Sequence, residues 1–171
     1  MITTTSLHEV GCAQPGGTSP LMRAEESAQP LLDYKVLDKL REDLEEFDVW
    51  RVFVQNFIIA LPLRIENLRL ALTTGDTVGA MDAVLSLKSA SQMVGAGRLA
   101  SLAYGLEVAQ REGTRVAAPS VVLPLLAVDH LQRIRQRAAQ TTYVLEAHLN
   151  TARRPRRTGI PILTRPAGCP A

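Results

Sequence analysis

From Trp50 to Leu72, apolar side chains recur every three or four residues: Trp50, Phe53, Phe57, Leu61, Ile65, Leu68 and Leu72. Steps of that size bring all seven to one side of an α-helix, and a stripe of that length needs partners to bury it. No segment of useful length alternates apolar and polar residues with the period of a strand, and no internal repeat is visible. The partners are therefore helices. The pattern predicts a helix over about Val49 to Thr73, with Asp48 as its cap and Pro62 removing a backbone donor and kinking it mid-way. Gly75 ends it, and Asp76 or Thr77 caps the next.

Three further segments carry the same period. Thr77 to about Val94 puts Val84, Leu87, Ser91 and Val94 on one face. At roughly 100° per residue, Leu85, Ser89 and Gln92 then form an outward row with Lys88 beside it. After Gly95, a helix from about Gly97 to Arg111 turns Leu99, Leu102, Leu106 and Ala109 inward and ends at Gly113. Pro119 and Ser120 introduce a last helix to about Ala152, with Ala127, Leu131, Ile134, Ala138, Thr141, Leu145 and Leu149 inward and Pro124 in its first turn. A short helix within Leu31 to Asp48 places Leu37, Leu40 and Leu44 at helical spacing. The expected fold is all-α: an antiparallel up-down four-helix bundle, a short additional N-terminal helix over one end, and flexible termini.

The ends differ in composition. Residues 1 to about 30 hold Gly11, Pro15, Gly16, Gly17, Pro20 and Pro30 among Thr, Ser and Gln, too little apolar surface to offset chain entropy, and read as a disordered leader. Residues 31–152 form the bundle. Residues 153–171 are an Arg/Pro-rich flexible tail containing Arg153, Arg154, Arg156 and Arg157. A net charge of +2 does not mark a nucleic-acid binder. Cys12 and Cys169 lie far apart in the two ends and suggest no disulfide framework. The start Met1-Ile2-Thr3-Thr4-Thr5 lacks the features of a signal peptide, and Val116–Val128 is too short and too broken to span a bilayer. A cytoplasmic protein without membrane insertion is expected.

The stretch Leu85-Ser86-Leu87-Lys88-Ser89-Ala90-Ser91-Gln92-Met93-Val94-Gly95-Ala96, followed by Leu99 and by Leu106-Glu107, resembles the signature of the histidine-containing phosphotransfer (HPt) domains of bacterial phosphorelays. That signature runs roughly His-x-Leu-Lys-Gly-small-small-x-x-Leu/Val-Gly-Ala, then Leu, then Leu-Glu. The approach through Leu68, Ala71, Leu72, Gly75 and Asp76 is similar to the family's lead-in, and the resemblance covers about residues 37 to 150. It implies a module that exchanges phosphoryl groups with receiver domains or histidine kinases. The chain departs from the pattern at the decisive place: Leu85 stands where the family has its phospho-accepting histidine, and Ser89 where it has a glycine. Leucine has no nucleophile, so the chemistry of covalent phosphoryl acceptance has no acceptor there.

The expectation is therefore a non-catalytic, HPt-like signalling module that docks a response-regulator receiver domain or a histidine kinase without carrying phosphate. Leu85, Lys88, Ser89 and Gln92 are the candidate docking residues. An exposed Leu85 suits an interface centre; an ordinary surface leucine, or a core residue if the helical phase slips by one, are the alternatives. Phosphotransfer through some other residue is a second possibility. A third is an adaptor that draws nucleic acid or anionic surfaces to Arg153, Arg154, Arg156 and Arg157, although no aromatic residue is interleaved with them. His8, His130 and His148 read as structural or solvated. No residue set has metal-ligand spacing, and Gly95-Ala96-Gly97 follows a helix and so reads as an interhelical turn, not a phosphate loop. No metal, cofactor or enzymatic activity is expected.

Overall fold

Very short connections set the corners of the bundle. In the computed structural model, which describes residues 29–44 and 49–152, the helices are α1 (Tyr34–Asp43), α2 (Val49–Thr74), α3 (Thr77–Met93), α4 (Gly97–Val116) and α5 (Pro119–Ala152). Only Gly75 and Asp76 separate α2 from α3. Gly75 adopts φ +76°, in the left-handed region that favours glycine, and the Asp76 carboxylate accepts the Gly79 N–H at 3.0 Å as the α3 cap. Gly95, at φ +72°, turns α3 into α4. Connections this short leave successive helices antiparallel. In the resulting ring α2 packs on α3 and α5, and α4 packs on the same two neighbours.

The interior follows the expected stripes closely. Leu68, Leu72, Val84, Leu87, Leu99, Leu106, Ile134 and Leu145 are wholly buried in one core. Each such leucine contributes roughly 1.5–3 kcal/mol by leaving water. Phe53 and Ala109 are only half-buried, at the margins of their stripes. The helix α2 runs unbroken through Pro62, which lies on its solvent side.

Two boundaries differ from expectation. The helix α4 does not end at Gly113 but continues to Val116. A Cβ on Gly113 would lie 2.6 Å from Val122 Cγ1, so this glycine permits close approach of α5 and is not a terminator. Termination comes instead at Ala117, which is extended (φ −142°, ψ 165°) two residues before Pro119. Pro124 lies beyond the first turn of α5, which begins at Pro119. The acceptor its missing N–H forgoes belongs to the exposed Ser120, within reach of water.

The short α1 caps one end of the bundle. Asp33 caps it by accepting the Lys35 N–H at 3.0 Å, and the Asp33 N–H donates to Gly95 O at 2.7 Å. Gln29 and Pro30 are fastened to the same corner, their carbonyls accepting from Arg98 Nε (2.8 Å) and Arg98 N (3.2 Å). Leu37 is buried, while Leu40 and Leu44 pack on the core edge. At this same end of the bundle Trp50 is covered by aromatic and cationic neighbours: the His148 ring at 6.1 Å, and the guanidinium groups of Arg51 and Arg41 at 5.7 and 6.0 Å. Arg51 also donates to Leu149 O at 2.8 Å, tying the start of α2 to the end of α5. Residues 1–28, with His8 and Cys12, lie outside the described residues, as do Asp48 and the tail with Arg153, Arg154, Arg156, Arg157 and Cys169.

Candidate partner-docking site

With Val84, Leu87 and Ser91 of α3 buried, the opposite side of the helix is left to solvent, and Asp82, Ser86, Ser89, Gln92 and Met93 are exposed there. Ser89 and Gln92 are thus where the helical phase puts them. The Ser89 hydroxyl donates back to Leu85 O at 2.9 Å, folding this small side chain onto its own helix and keeping the surface low. Leu85 itself is not an exposed knob. It is half-buried and packs against the core cluster from the edge of α3. The helical phase is right; the supposition of full exposure is corrected because neighbouring helices reach around the flank of α3.

Lys88 is held more firmly than its sequence neighbours suggest. Its Nζ donates to Glu107 Oε2 at 2.5 Å and lies 5.8 Å from the centroid of the Tyr104 ring. The Glu107 carboxylate is buried, and its other oxygen pairs with Arg111 at 2.8 Å. One buried carboxylate is therefore flanked by two cations from two helices, and its desolvation is offset on both oxygens. Lys88 directs its side-chain nitrogen inward and across to α4. What the site offers outward is a low, mostly neutral surface: Leu85, Ser89 and Gln92, rimmed by the half-exposed Tyr104 and Met93 and by Arg111.

Tyr104, Arg111 and the pairing role of Glu107 were not legible beforehand. Glu107 and Arg111 stand four apart, a signal for a pair on one helix face. Nothing in the sequence says that this face meets Lys88, which depends on the relative rotation of α3 and α4.

The histidines lie elsewhere. His130 is buried on α5, the helix diagonally across the ring from α3, with the Asp129 carboxylate 3.5 Å from its Nε2. Of the structural and solvated readings, burial selects the structural one. His148 packs 5.6 Å from the Tyr34 ring at the α1 end. Among the described residues no His, Cys, Asp and Glu cluster could hold a metal ion, and no helix is long and apolar enough to cross a membrane.

A bundle of this topology, with a lysine on the second helix of the ring clasped by a glutamate of the third, invites comparison with known domains. The family model described as Hpt domain matches residues 52–151, more than half of the chain. The chain belongs to the Hpt domain family. Among solved structures, it is similar to the crystal structure of histidine-containing phosphotransfer protein B (HptB) from Pseudomonas aeruginosa PAO1, at 24% identity and a TM-score of 0.60. The match covers 71% of this chain and 96% of that one, and shows a shared fold. No curated protein matches the chain. Membership makes this Hpt protein a phosphorelay signalling module, in a family whose members pass phosphoryl groups between histidine kinases and receiver domains instead of catalysing turnover of a substrate. The expected family and the all-α bundle are thereby established.

Proposed function

We propose that this Hpt domain docks a receiver domain or a histidine kinase through the α3–α4 face without accepting a phosphoryl group. The observation that carries the reading is Leu85, which stands three residues before Lys88 where the family motif has histidine. A methyl-tipped side chain turned partly into the core neither attacks phosphorus nor accepts a proton. Among the described residues no histidine substitutes for it, because His130 is buried on the diagonal helix and His148 packs at the α1 end. The same face keeps what docking needs: the small Ser89, and a neutral surface whose lysine is already matched by Glu107, so a partner approaches without desolvating an unpaired charge.

The test uses receiver domains from the source organism charged with radiolabelled acetyl phosphate. Wild-type protein is expected to stay unlabelled yet to bind the receiver domain in calorimetry, and Ser89→Arg is expected to weaken that binding about tenfold or more, roughly 1.4 kcal/mol. The Leu85→His variant, which restores the motif, is expected to take up acid-labile label. Label on the wild-type protein would establish transfer through another residue and overturn the reading.

A further inference from the structure

Besides Val49 at its start, four large apolar side chains of α2 face solvent for no reason the bundle supplies. Val52 is 52% exposed, Ile59 75%, Leu63 65% and Leu70 46%, although α2 buries its opposite side from Trp50 to Leu72. At 100° per residue, positions 52, 56, 59, 63, 66 and 70 fall in a wedge of about 80° facing away from the core. They succeed one another by four, three, four, three and four residues, the spacing of a coiled-coil seam, with Asn56 and Glu66 as its polar members.

Two properties of the seam select its occupant. It reads alike in both directions about residue 61: Val52 mirrors Leu70, Ile59 mirrors Leu63, and Asn56 mirrors Glu66. An antiparallel two-fold pairing then sets apolar residues against apolar ones throughout, since each contact of residue i with residue j is repeated as j with i. The mirrored polar pair is also complementary, because an amide donates and a carboxylate accepts. Arg69 grips Glu66 through bonds of 2.6–3.0 Å, and this hydrogen bonding holds the Glu66 carboxyl below its ordinary 4.5, so the acceptor is ionised. Within α2 no like charges are opposed: the mirror positions of Arg51, Arg64 and Arg69 are Ala71, Ile58 and Phe53. Alongside the seam lies a groove of 480 Å³ between α2 and α5, lined by Pro62, Ala139 and Tyr143 among others. Tyr143 is 74% exposed and extends the apolar face sideways.

We propose that this face of α2 is the interface of a homodimer in which two α2 helices lie antiparallel about a two-fold axis at residue 61. Ile59 then rests on Leu63 of the partner subunit, Val52 on Leu70 of the partner subunit, and the Asn56 amide donates to Glu66 of the partner subunit. The seam is about 27 Å long. Helices packed side by side over that length, flanked by Pro62 and Tyr143, match the smaller class of specific interfaces, about 1,200 Å² in total or less, and so a dimer of micromolar affinity. The proposal uses none of the α3–α4 docking residues and does not rest on the phosphotransfer reading.

Sedimentation equilibrium of the full chain, compared with Leu63→Glu, tests it. Wild type is expected to be a dimer at micromolar concentration, and Leu63→Glu a monomer over the same range with a helical circular dichroism spectrum. The register is tested with Cys12 and Cys169 replaced by serine. A mixture of Ile59→Cys and Leu63→Cys chains is expected to form a disulfide-linked species at least about fivefold faster than either alone, since opposed Cβ atoms suit a disulfide and offset ones do not. A wild-type chain that stays monomeric at several hundred micromolar overturns the proposal. So does a dimer that survives Leu63→Glu, which would place association elsewhere. Equal cross-linking of single and mixed chains overturns the two-fold register.

Discussion

At the scale of single residues, Glu107 decides how the site behaves. Its carboxylate is nearly inaccessible and serves both Lys88, at 2.5 Å, and Arg111, at 2.8 Å. The two sides of the network are not equivalent. Removing the carboxylate leaves Lys88 half-buried without its anion, whereas removing Lys88 still leaves Glu107 matched by Arg111. Glu107→Ala is therefore expected to cost about 3 kcal/mol in urea unfolding, and Lys88→Met about 1 kcal/mol or less. Equal losses would mean that Arg111 does not share the carboxylate. Leu85 belongs to the same scale. Because it is half-buried, Leu85→Ala is expected to cost about 1–2 kcal/mol, below the 2–5 typical of a fully buried leucine.

At the scale of elements, two glycines carry different burdens. Gly95 sits at φ +72°, and a Cβ there would meet the backbone oxygen of Asp33 at 2.6 Å. Neither the dihedral nor the carbonyl, itself part of the α1 start, has room to relax. Gly95→Ala is expected to cost about 3 kcal/mol in thermal or urea unfolding. Gly113 lies inside α4, where alanine ordinarily gains about 1 kcal/mol by propensity. Here its Cβ would meet Val122 Cγ1, on a β-branched side chain stiff at χ1, so Gly113→Ala is expected to lose about 1 kcal/mol instead. The same substitution in a Val122→Ala background is expected to become favourable. That reversal of sign separates close packing from intrinsic propensity.

At the scale of the whole molecule, the family-matched span begins at residue 52, so α1, within the segment from Gln29 to Leu44, lies outside it. Its anchors are Leu32 and Leu37, both buried, the Asp33–Gly95 backbone bond, and the two carbonyls held by Arg98. Deleting residues 1–44 is expected to leave a four-helix bundle with unchanged helical signal per bundle residue, less stable by about 3–6 kcal/mol for two exchanged leucines. Trp50, only 6% exposed and flanked by Arg41 and by the Tyr34–His148 stack, is expected to shift its fluorescence to longer wavelength. Loss of all helical structure would show that α1 is integral to the bundle and not a cover.

The stripes Trp50–Leu72, Val84–Val94, Leu99–Leu106 and Ala127–Leu149 determined by themselves that four helices would bury one side each, because helical periodicity is a local property that the chain carries everywhere. Short corners, two of them at Gly75 and Gly95, then left only an antiparallel ring. The motif from Leu85 to Ala96 likewise pointed to the family, and its missing histidine is a fact of sequence alone. Distances between helices are another matter. That Leu85 tucks against the core, that Lys88 reaches Glu107 across a hairpin, and that Gly113 continues a helix depend on how α3, α4 and α5 rotate and approach one another. So does the exposure of Val52, Ile59, Leu63 and Leu70, since their heptad spacing becomes a surface only once the other side of α2 is committed to the core. Side-chain packing between elements sets those rotations, and only the tertiary structure contains it.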